Sequence, residues 1–359
     1  MEAHDRRWRL SGRAGLWGRR AVAALAAAEL GAAVLIAPVA AHSKTGERPP
    51  VRTPVVAAPL PAAPSLVDPA PAPTTTTTAA PAVATGVGQL TLSVVDPTRQ
   101  TVDQGQVISP TRSLPTLVLY PAVGPHGAAD VVGAQAAPGR HPLIVFAHGY
   151  AVTALTYEHL LHAWAAAGFV VAAPAFPLQT AGGPLDEADL VNEPGDISAV
   201  ITAVLVQSAA ANGVLGGRVD PARIAVAGHS DGAVAALASA FGTQDRRIGP
   251  VISMSGAGRP GIPHADPRHP LLIVQGDSDD IDPQQNSFAV YNEAVAPRIY
   301  LDLIGGGHLP PVADDTPWRP IVESVTIAFL SHYLGGGATI GALAAAGAHP
   351  GLSMIGGQP

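Results

Sequence analysis

The pentapeptide Gly228-His229-Ser230-Asp231-Gly232 follows the apolar run IAVA (224–227) and precedes an alanine-rich stretch, 231–241. Small residues at 228 and 232 let a strand and a helix approach closely around a tight turn, so that the central serine projects from the end of a sheet. Its hydroxyl would meet backbone N–H groups at a helix start, which suits a nucleophile whose attack builds negative charge. A serine N-cap uses the same residue type for structure alone. The pattern by itself does not decide between them.

A nucleophilic serine needs an imidazole base, and the imidazole needs a carboxylate to orient it. When an elbow between strand and helix carries the serine, the acid and then the histidine follow in chain order. Of the 13 histidines, only His308, His332 and His349 lie beyond every candidate acid. His332 falls in the amphipathic segment VTIAFLSHYL and His349 in an Ala/Gly-rich tail. His308 follows the run IYLDLI in the loop GGGHLPP, whose backbone freedom suits presentation of an imidazole. The acid falls in LLIVQGDSDDIDP, which offers Asp277, Asp279, Asp280 and Asp282. The same carboxylates suggest a calcium loop, but the glycine at the sixth loop position and the glutamate at the twelfth are missing.

Acyl transfer also needs two oxyanion donors. One is expected from the backbone N–H of Asp231, the other from His148-Gly149-Tyr150, through the N–H of Tyr150. The side chains of Tyr150, Phe176, Leu309 and Trp318 are candidate substrate-pocket residues. The segments 174–195 and 309–318, which carry the last three, would serve as pocket wall or lid. Asp231 is odd in this setting, because a carboxylate beside an oxyanion opposes its formation. Its side chain is therefore expected to point away along the helix flank, where the helix start favours a negative charge.

Positioning these residues requires alternating strands and helices. LTLSVVD (90–96) and TLVLY (116–120) alternate in polarity, as half-exposed edge strands do. LIVFA (143–147), FVVAA (169–173), IAVA (224–227), VISM (251–254), LLIVQ (271–275) and IYLDLI (299–304) read as strands buried on both faces. Helical spacing appears over 155–167, with Leu160, Leu161 and Trp164 on one side, and over 196–208, with Ile197, Val200, Ile201, Val204 and Leu205. Residues 231–241, 284–295 and 317–334 complete the helices. The pattern predicts an α/β fold with a mostly parallel central sheet and helices on both faces, over residues 86–335. Residues 336–359 read as a Gly/Ala-rich tail, frayed by default, with a short packed helix as the alternative.

Composition bounds the setting. Residues 1–20 carry six arginines, and the almost wholly apolar run 21–41 follows, the order of a secretory signal. Left uncleaved, residues 1–41 would act as an N-terminal anchor and tether the protein to the cell envelope. Residues 42–85 hold ten prolines and a Thr74–Thr78 run and read as a disordered linker. The net charge of −7 becomes −10 once residues 1–41 are removed, which argues against a nucleic-acid partner. There are no cysteines, so thiol catalysis and disulfides are excluded.

Taken together, "VVDPTRQT", "PTRSLPTLVLYPA", "LIVFAHGYAVTALTYEHLLHAWAAAGFVVAAPAFP", "NEPGDISAVITAVL", "VDPARIAVAGHSDGA", "LLIVQGDSDDIDP" and "IGGGHL" resemble a known group. This is the α/β-hydrolases related to platelet-activating-factor acetylhydrolase and dienelactone hydrolase, and more distantly the bacterial polyester-cleaving cutinases. The resemblance spans residues 87–335. It implies a serine ester hydrolase without a cofactor, acting on a small-molecule, lipid or polyester ester. It also implies Asp279 as the acid, through a G-x-x-D-x-x-x-P pattern between Gly276 and Pro283. Two positions depart from the group: Asp231, where Met, Leu or Gln is common, and Ala175, where relatives often carry Asp. Acyl transfer to a cell-envelope acceptor would use the same triad, and a silent binding protein would use the scaffold without it.

Overall fold

The computed structural model describes residues 86–359 except 126, 128, 243, 244, 260, 262 and 263. The segments read as a signal or anchor (1–41) and as a linker (42–85) lie outside the described residues. From there the chain runs through β1 (Gly86–Asp96), a hairpin of β2 (Thr101–Asp103) and β3 (Gln106–Ser109), and β4 (Arg112–Ala122), which pairs antiparallel with all of β1. After the short β5 (Val131–Val132) come β6 (His141–Ala147), α1 (Glu158–Ala166) and β7 (Val170–Pro174). Then follow α2 (Glu193–Ala209), β8 (Val219–His229), α3 (Asp231–Leu237) and β9 (Ile248–Met254). The last part contains β10 (Leu271–Gly276), α4 (Gln284–Glu293), β11 (Arg298–Leu303), α5 (Pro310–Ala313), α6 (Arg319–Tyr333), α7 (Ile340–Gly347) and β12 (Ser353–Gln358).

Among the described residues these strands build a ten-stranded sheet in the order β12-β11-β10-β9-β8-β6-β7-β4-β1-β5. From β7 to β11 neighbouring strands are parallel. A parallel strand in the middle of such a sheet is covered on both faces, so its sequence is apolar at every position rather than alternating. Leu143 to Ala147 on β6 are accordingly all buried. The helices cover the sheet with the faces their spacing predicts. On α1, Leu160, Leu161 and Trp164 turn inward, and the Trp164 indole N–H donates to Thr326 Oγ of α6 at 2.8 Å. On α2, Ile197, Val200, Ile201 and Val204 are buried. None of the helices among the described residues is long and apolar enough to cross a membrane.

Two expectations are corrected. β4 is not an edge strand, because it pairs with β1 on one side and with β7 on the other. Residues 336–359 are not a frayed tail: α7 buries Ile340 and Leu343, and β12 pairs antiparallel with β11 to close one edge of the sheet. The Ser353 hydroxyl donates to the Gly347 carbonyl at 2.8 Å and fixes the turn between them. Glycine and alanine were read as lack of structure, yet small side chains suffice where the backbone ladder does the joining.

Of the segment 174–195, expected to be pocket wall or lid, the C-terminal part is pinned by charge at Asp189 and, just beyond it, at Asp196. Arg112 at the start of β4 is 0% exposed. It reaches Asp196 with Nε and Nη2 at 2.7 and 2.6 Å, and Asp189 with Nη1 and Nη2 at 2.9 and 2.8 Å. Arg99 adds a second contact to Asp196 at 2.7 Å. Arg112→Met would leave the buried Asp189 without its cation and Asp196 with Arg99 alone, and removing one partner of a buried pair costs about 3–5 kcal/mol. The expected result is a fall in melting temperature of roughly 10 °C, at about 2–4 °C per kcal/mol for a domain of this size. Deleting residues 349–359 should likewise lower the melting temperature and the soluble yield, since it bares the edge of β11. Thermal unfolding by circular dichroism checks both.

Candidate active site

The chain leaves β6 toward β7 on one side and returns to β8 on the other, so the strand order reverses between β6 and β8. Ligands of open parallel sheets bind in the crevice beyond the carboxyl ends at such a switch point. Tyr150 follows β6 and Ser230 follows β8, so they flank it.

Ser230 sits at φ 56°, ψ −127°, a backbone conformation strained for a residue with a Cβ. Its N–H donates to the Met254 carbonyl at 3.0 Å. The close approach on either side explains the two glycines: a Cβ on Gly228 would lie 2.0 Å from the Gly232 carbonyl oxygen, and one on Gly232 would lie 2.2 Å from that of Ala147. The hydroxyl makes no capping bond to α3, so the N-cap use is set aside. Strain recurs nearby, since Ala151 and Ser255 also have positive φ, at 55° and 46°. These positions lie just beyond β6 and β9, and strained backbone of this kind gathers at functional sites.

His308 is 5% exposed, and its Nδ1 lies 2.9 Å from Asp279 Oδ2 and 3.1 Å from Oδ1. Its Nε2 has no hydrogen-bond partner, and none joins it to Ser230. Asp279 accepts further bonds from the N–H groups of Ile281 (3.1 Å) and Asp282 (2.9 Å) and from the Gln275 amide (2.9 Å). Burial alone would raise its pKa; the bond to and charge of His308, with the Asp282 N–H and the Ser255 hydroxyl, hold it below the usual carboxylate value. Of the four candidate acids only Asp279 reaches His308. Asp277 instead accepts the Gly305 N–H at 2.7 Å, tying the acid loop to the histidine loop. Asp282 accepts from Asn286 at 2.7 Å, and Asp280 is exposed.

The two expected oxyanion donors are free. Neither the Tyr150 N–H nor the Asp231 N–H bonds to another group among the described residues. A Cβ on Gly149, the residue before Tyr150, would stand 3.1 Å from Ser230 Cβ, so the first donor loop abuts the serine.

Four supporting residues were not singled out from the sequence. The Tyr157 hydroxyl accepts the Gly149 N–H (3.2 Å) and lies 2.9 Å from His229 Nδ1. His229 Nε2 lies 2.9 Å from the His308 carbonyl oxygen. A carbonyl only accepts, so Nε2 carries the proton, and Nδ1 receives the one from Tyr157. Burial, then the nearby His308 charge, pushes the His229 pKa down to about 3, which keeps the ring neutral. Ser255 donates to the same His308 carbonyl at 3.3 Å, and Gln275 holds Asp279 and the Asp282 carbonyl. For His229, Ser255 and Gln275 a strand-end position was the available signal; Tyr157, in the helical turn before α1, offered none.

The expected pocket residues divide. Tyr150 and Leu309 are partly exposed beside the serine and the histidine. Phe176 is 1% exposed and packs 5.2 Å from the His148 ring, so it is core rather than pocket wall. Trp318 donates its indole N–H to the Ile304 carbonyl at 3.1 Å and braces the loop that presents His308. The stabilising role expected for Asp231 is not found: Oδ2 is buried with no hydrogen-bond partner, and the charges of Glu187 and Asp282 act against its ionised form. Burial, then the charges of Glu187 and Asp282, push its pKa up to about 6. The start of a seven-residue helix does not offset those effects.

Comparison with known proteins agrees with this architecture. A family model described as Chlorophyllase matches residues 124–255. A solved structure, ferulic acid esterase from Streptomyces cinnamoneus, superposes with a TM-score of 0.57 at 22% identity, covering 72% of this chain and 93% of that one. Comparison with curated proteins finds no match. The fold is that of the α/β-hydrolases. The finer likeness to the platelet-activating-factor acetylhydrolase and dienelactone hydrolase group is carried by the sequence motifs alone.

The raised pKa of Asp231 sets a sign for stability. Below the ordinary carboxylate value the group is protonated in folded and unfolded chains and costs nothing. As pH rises through about 6 the folded protein must ionise it at a disadvantage, so stability is lost on the alkaline side. Asp231→Asn should therefore melt higher than wild type at pH 7.5, by several degrees for roughly 1–2 kcal/mol. The gap should close below about pH 4, as read by thermal unfolding across pH.

Proposed function

We propose that this chain is an exported serine hydrolase that cleaves carboxylic esters through an acyl-enzyme intermediate on Ser230. The observation that carries the reading is the buried Asp279–His308 pair, its outer nitrogen unpartnered, at the same strand ends as a strained, uncapped serine. The family model and the esterase neighbour support the ester-hydrolase class. Export through residues 1–41 is supported by the arginine-rich start and the apolar run that follows it.

His308 Nε2 takes the proton of Ser230 as Oγ bonds to the ester carbonyl carbon, and Asp279 stabilises the imidazolium from Nδ1. The carbonyl oxygen gains the negative charge and is held by the N–H groups of Tyr150 and Asp231. The C–O bond to the alcohol breaks as His308 returns the proton to the leaving oxygen. A water, deprotonated by the same nitrogen, then attacks the acyl carbon and releases the acid and Ser230. The chemistry needs Nε2 and Oγ to come within hydrogen-bond distance when substrate binds, and such bonds commonly tighten only in the complex.

The test is Ser230→Ala on the described domain. Hydrolysis of p-nitrophenyl butyrate should fall by at least roughly 1,000-fold with the fold unchanged, and labelling by a fluorophosphonate probe should disappear. Asp279→Asn should cost roughly 100- to 10,000-fold in kcat, through loss of the correct imidazole tautomer, while Asp280→Asn should leave the rate near wild type. Activity that survives Ser230→Ala would overturn the assignment.

A further inference from the structure

The apolar run Leu271 to Val274 of β10 gives way to a polar side chain, Gln275, that is 0% exposed. Its amide nitrogen lies 2.9 Å from Asp279 Oδ2, 3.0 Å from the Asp282 carbonyl and 3.3 Å from the Gly276 carbonyl. With three acceptors around it, the nitrogen must face them. Turned over, the amide would set its oxygen against a carboxylate and two carbonyls. The Oε1 is left buried with no partner. A buried oxygen without a donor is costly, and the strand bears that cost where it meets the acid of the site.

The bonds to Asp279 come from two kinds of donor. Oδ1 takes the N–H groups of Ile281 and Asp282, which belong to the carboxyl's own turn and move with it. Oδ2 takes Gln275, from the end of a buried strand, and it is also the oxygen nearer to His308 Nδ1, at 2.9 Å. The backbone of the acid loop is already fixed to the histidine loop. The Asp277 N–H donates to the Leu303 carbonyl at 3.2 Å, and the Ser278 N–H to that of Gly306 at 3.0 Å. A Cβ on Gly276 would stand 2.1 Å from the Gly306 carbonyl oxygen, so the two loops touch there. What these contacts leave open is the torsion of the carboxyl about its Cβ–Cγ bond, which is soft. Gln275 closes it from outside the turn, and the same nitrogen staples the turn through the Asp282 carbonyl. The Ser255 hydroxyl also acts on Asp279, but it has one proton and shares it with the His308 carbonyl.

We propose, resting on the esterase reading above, that Gln275 aims the acid of the triad: its amide fixes the rotation of the Asp279 carboxyl and, through it, the orientation of the His308 ring. Gln275 bonds to neither the base nor the nucleophile, so it is a positioning residue. Its effect falls on the step in which the imidazolium forms. A ring held by an aligned carboxylate takes the Ser230 proton at Nε2 with its Nδ1 proton already placed. A carboxyl free to rotate must first be brought into line. The loss on removing the amide is therefore one of kcat, not of substrate binding.

The test removes the amide and reads what reaches the chemistry. Gln275→Met keeps the side-chain length and should lower kcat for p-nitrophenyl butyrate by roughly 10-fold or more, with KM within about 2-fold of wild type. Gln275→Asn, which stays polar but withdraws the nitrogen by one methylene, should show the same pattern. Because Gln275 acts through Asp279, adding Gln275→Met to Asp279→Ala should cost less than about 2-fold more. An unchanged kcat in both single variants, or a full additive loss on Asp279→Ala, overturns the proposal. The Nδ1 proton of His308 gives a second readout that needs no substrate. Its low-field proton NMR resonance, assigned by its absence in His308→Gln, should broaden through exchange with water in Gln275→Met. A resonance as sharp as in wild type overturns the proposal even if activity falls. Absence of ester cleavage by wild type, with the resonance responding as expected, falls on the esterase reading alone.

Discussion

The imidazole of His229 joins three strand ends that would otherwise be independent. Through Tyr157 it holds the Gly149 N–H beyond β6, and through Nε2 it holds the carbonyl of His308 beyond β11, while its own backbone ends β8. Only the neutral, Nε2-protonated ring satisfies both neighbours, and full burial enforces that state. The strained serine one residue later is therefore set in a frame whose members cannot shift singly. Moving the histidine loop would leave the His229 Nε2–H unpaired, and moving Gly149 away from Tyr157 would leave the buried Gly149 N–H unpaired.

Charge is arranged to the same end. The buried charges away from the crevice are paired: Arg112 with Asp189 and Asp196, Arg99 with Asp96 and Asp196. Glu193 is the exception, fully buried with both oxygens unpartnered. Burial, then the charges of Asp196, Asp231 and Asp189, push its pKa well above the usual carboxylate value, against the pull of Arg112. Asp231 differs because it titrates near neutrality.

The strands and helices were legible because both obey simple periods: continuous apolar runs for β6 to β11, and 3.6-residue spacing for α1 and α2. Ser230, His308 and the acid loop were legible because a nucleophile elbow imposes glycines and chain order. What stayed hidden depends on partners distant in sequence. His229 reads as the variable position of a pentapeptide until Tyr157, 72 residues earlier, is seen against it. Phe176 and Trp318 were read as pocket residues because large apolar side chains in loops look available. Whether such a ring faces solvent or core depends on which strand the loop crosses, and no local pattern records that. The electrostatic cost at Asp231 was hidden for a related reason: helix-start electrostatics is local, whereas Glu187 and Asp282 come from other segments.

The pinning of residues 186–196 also bears on how selection works at this site. A lid selects by closing, which requires a hinge and a segment of low local stability. Here the segment that carries Glu187 is clamped by two arginines from β4 and the turn after β1, and its Asp186 accepts the Gln104 N–H from the β2–β3 hairpin at 3.2 Å. The Ala151 N–H in turn bonds the Gln179 carbonyl at 2.8 Å, which joins the oxyanion loop to an earlier part of the connection between β7 and α2. That side of the crevice is therefore held in one arrangement, and what it contributes to discrimination is a shape already in place rather than a closing segment.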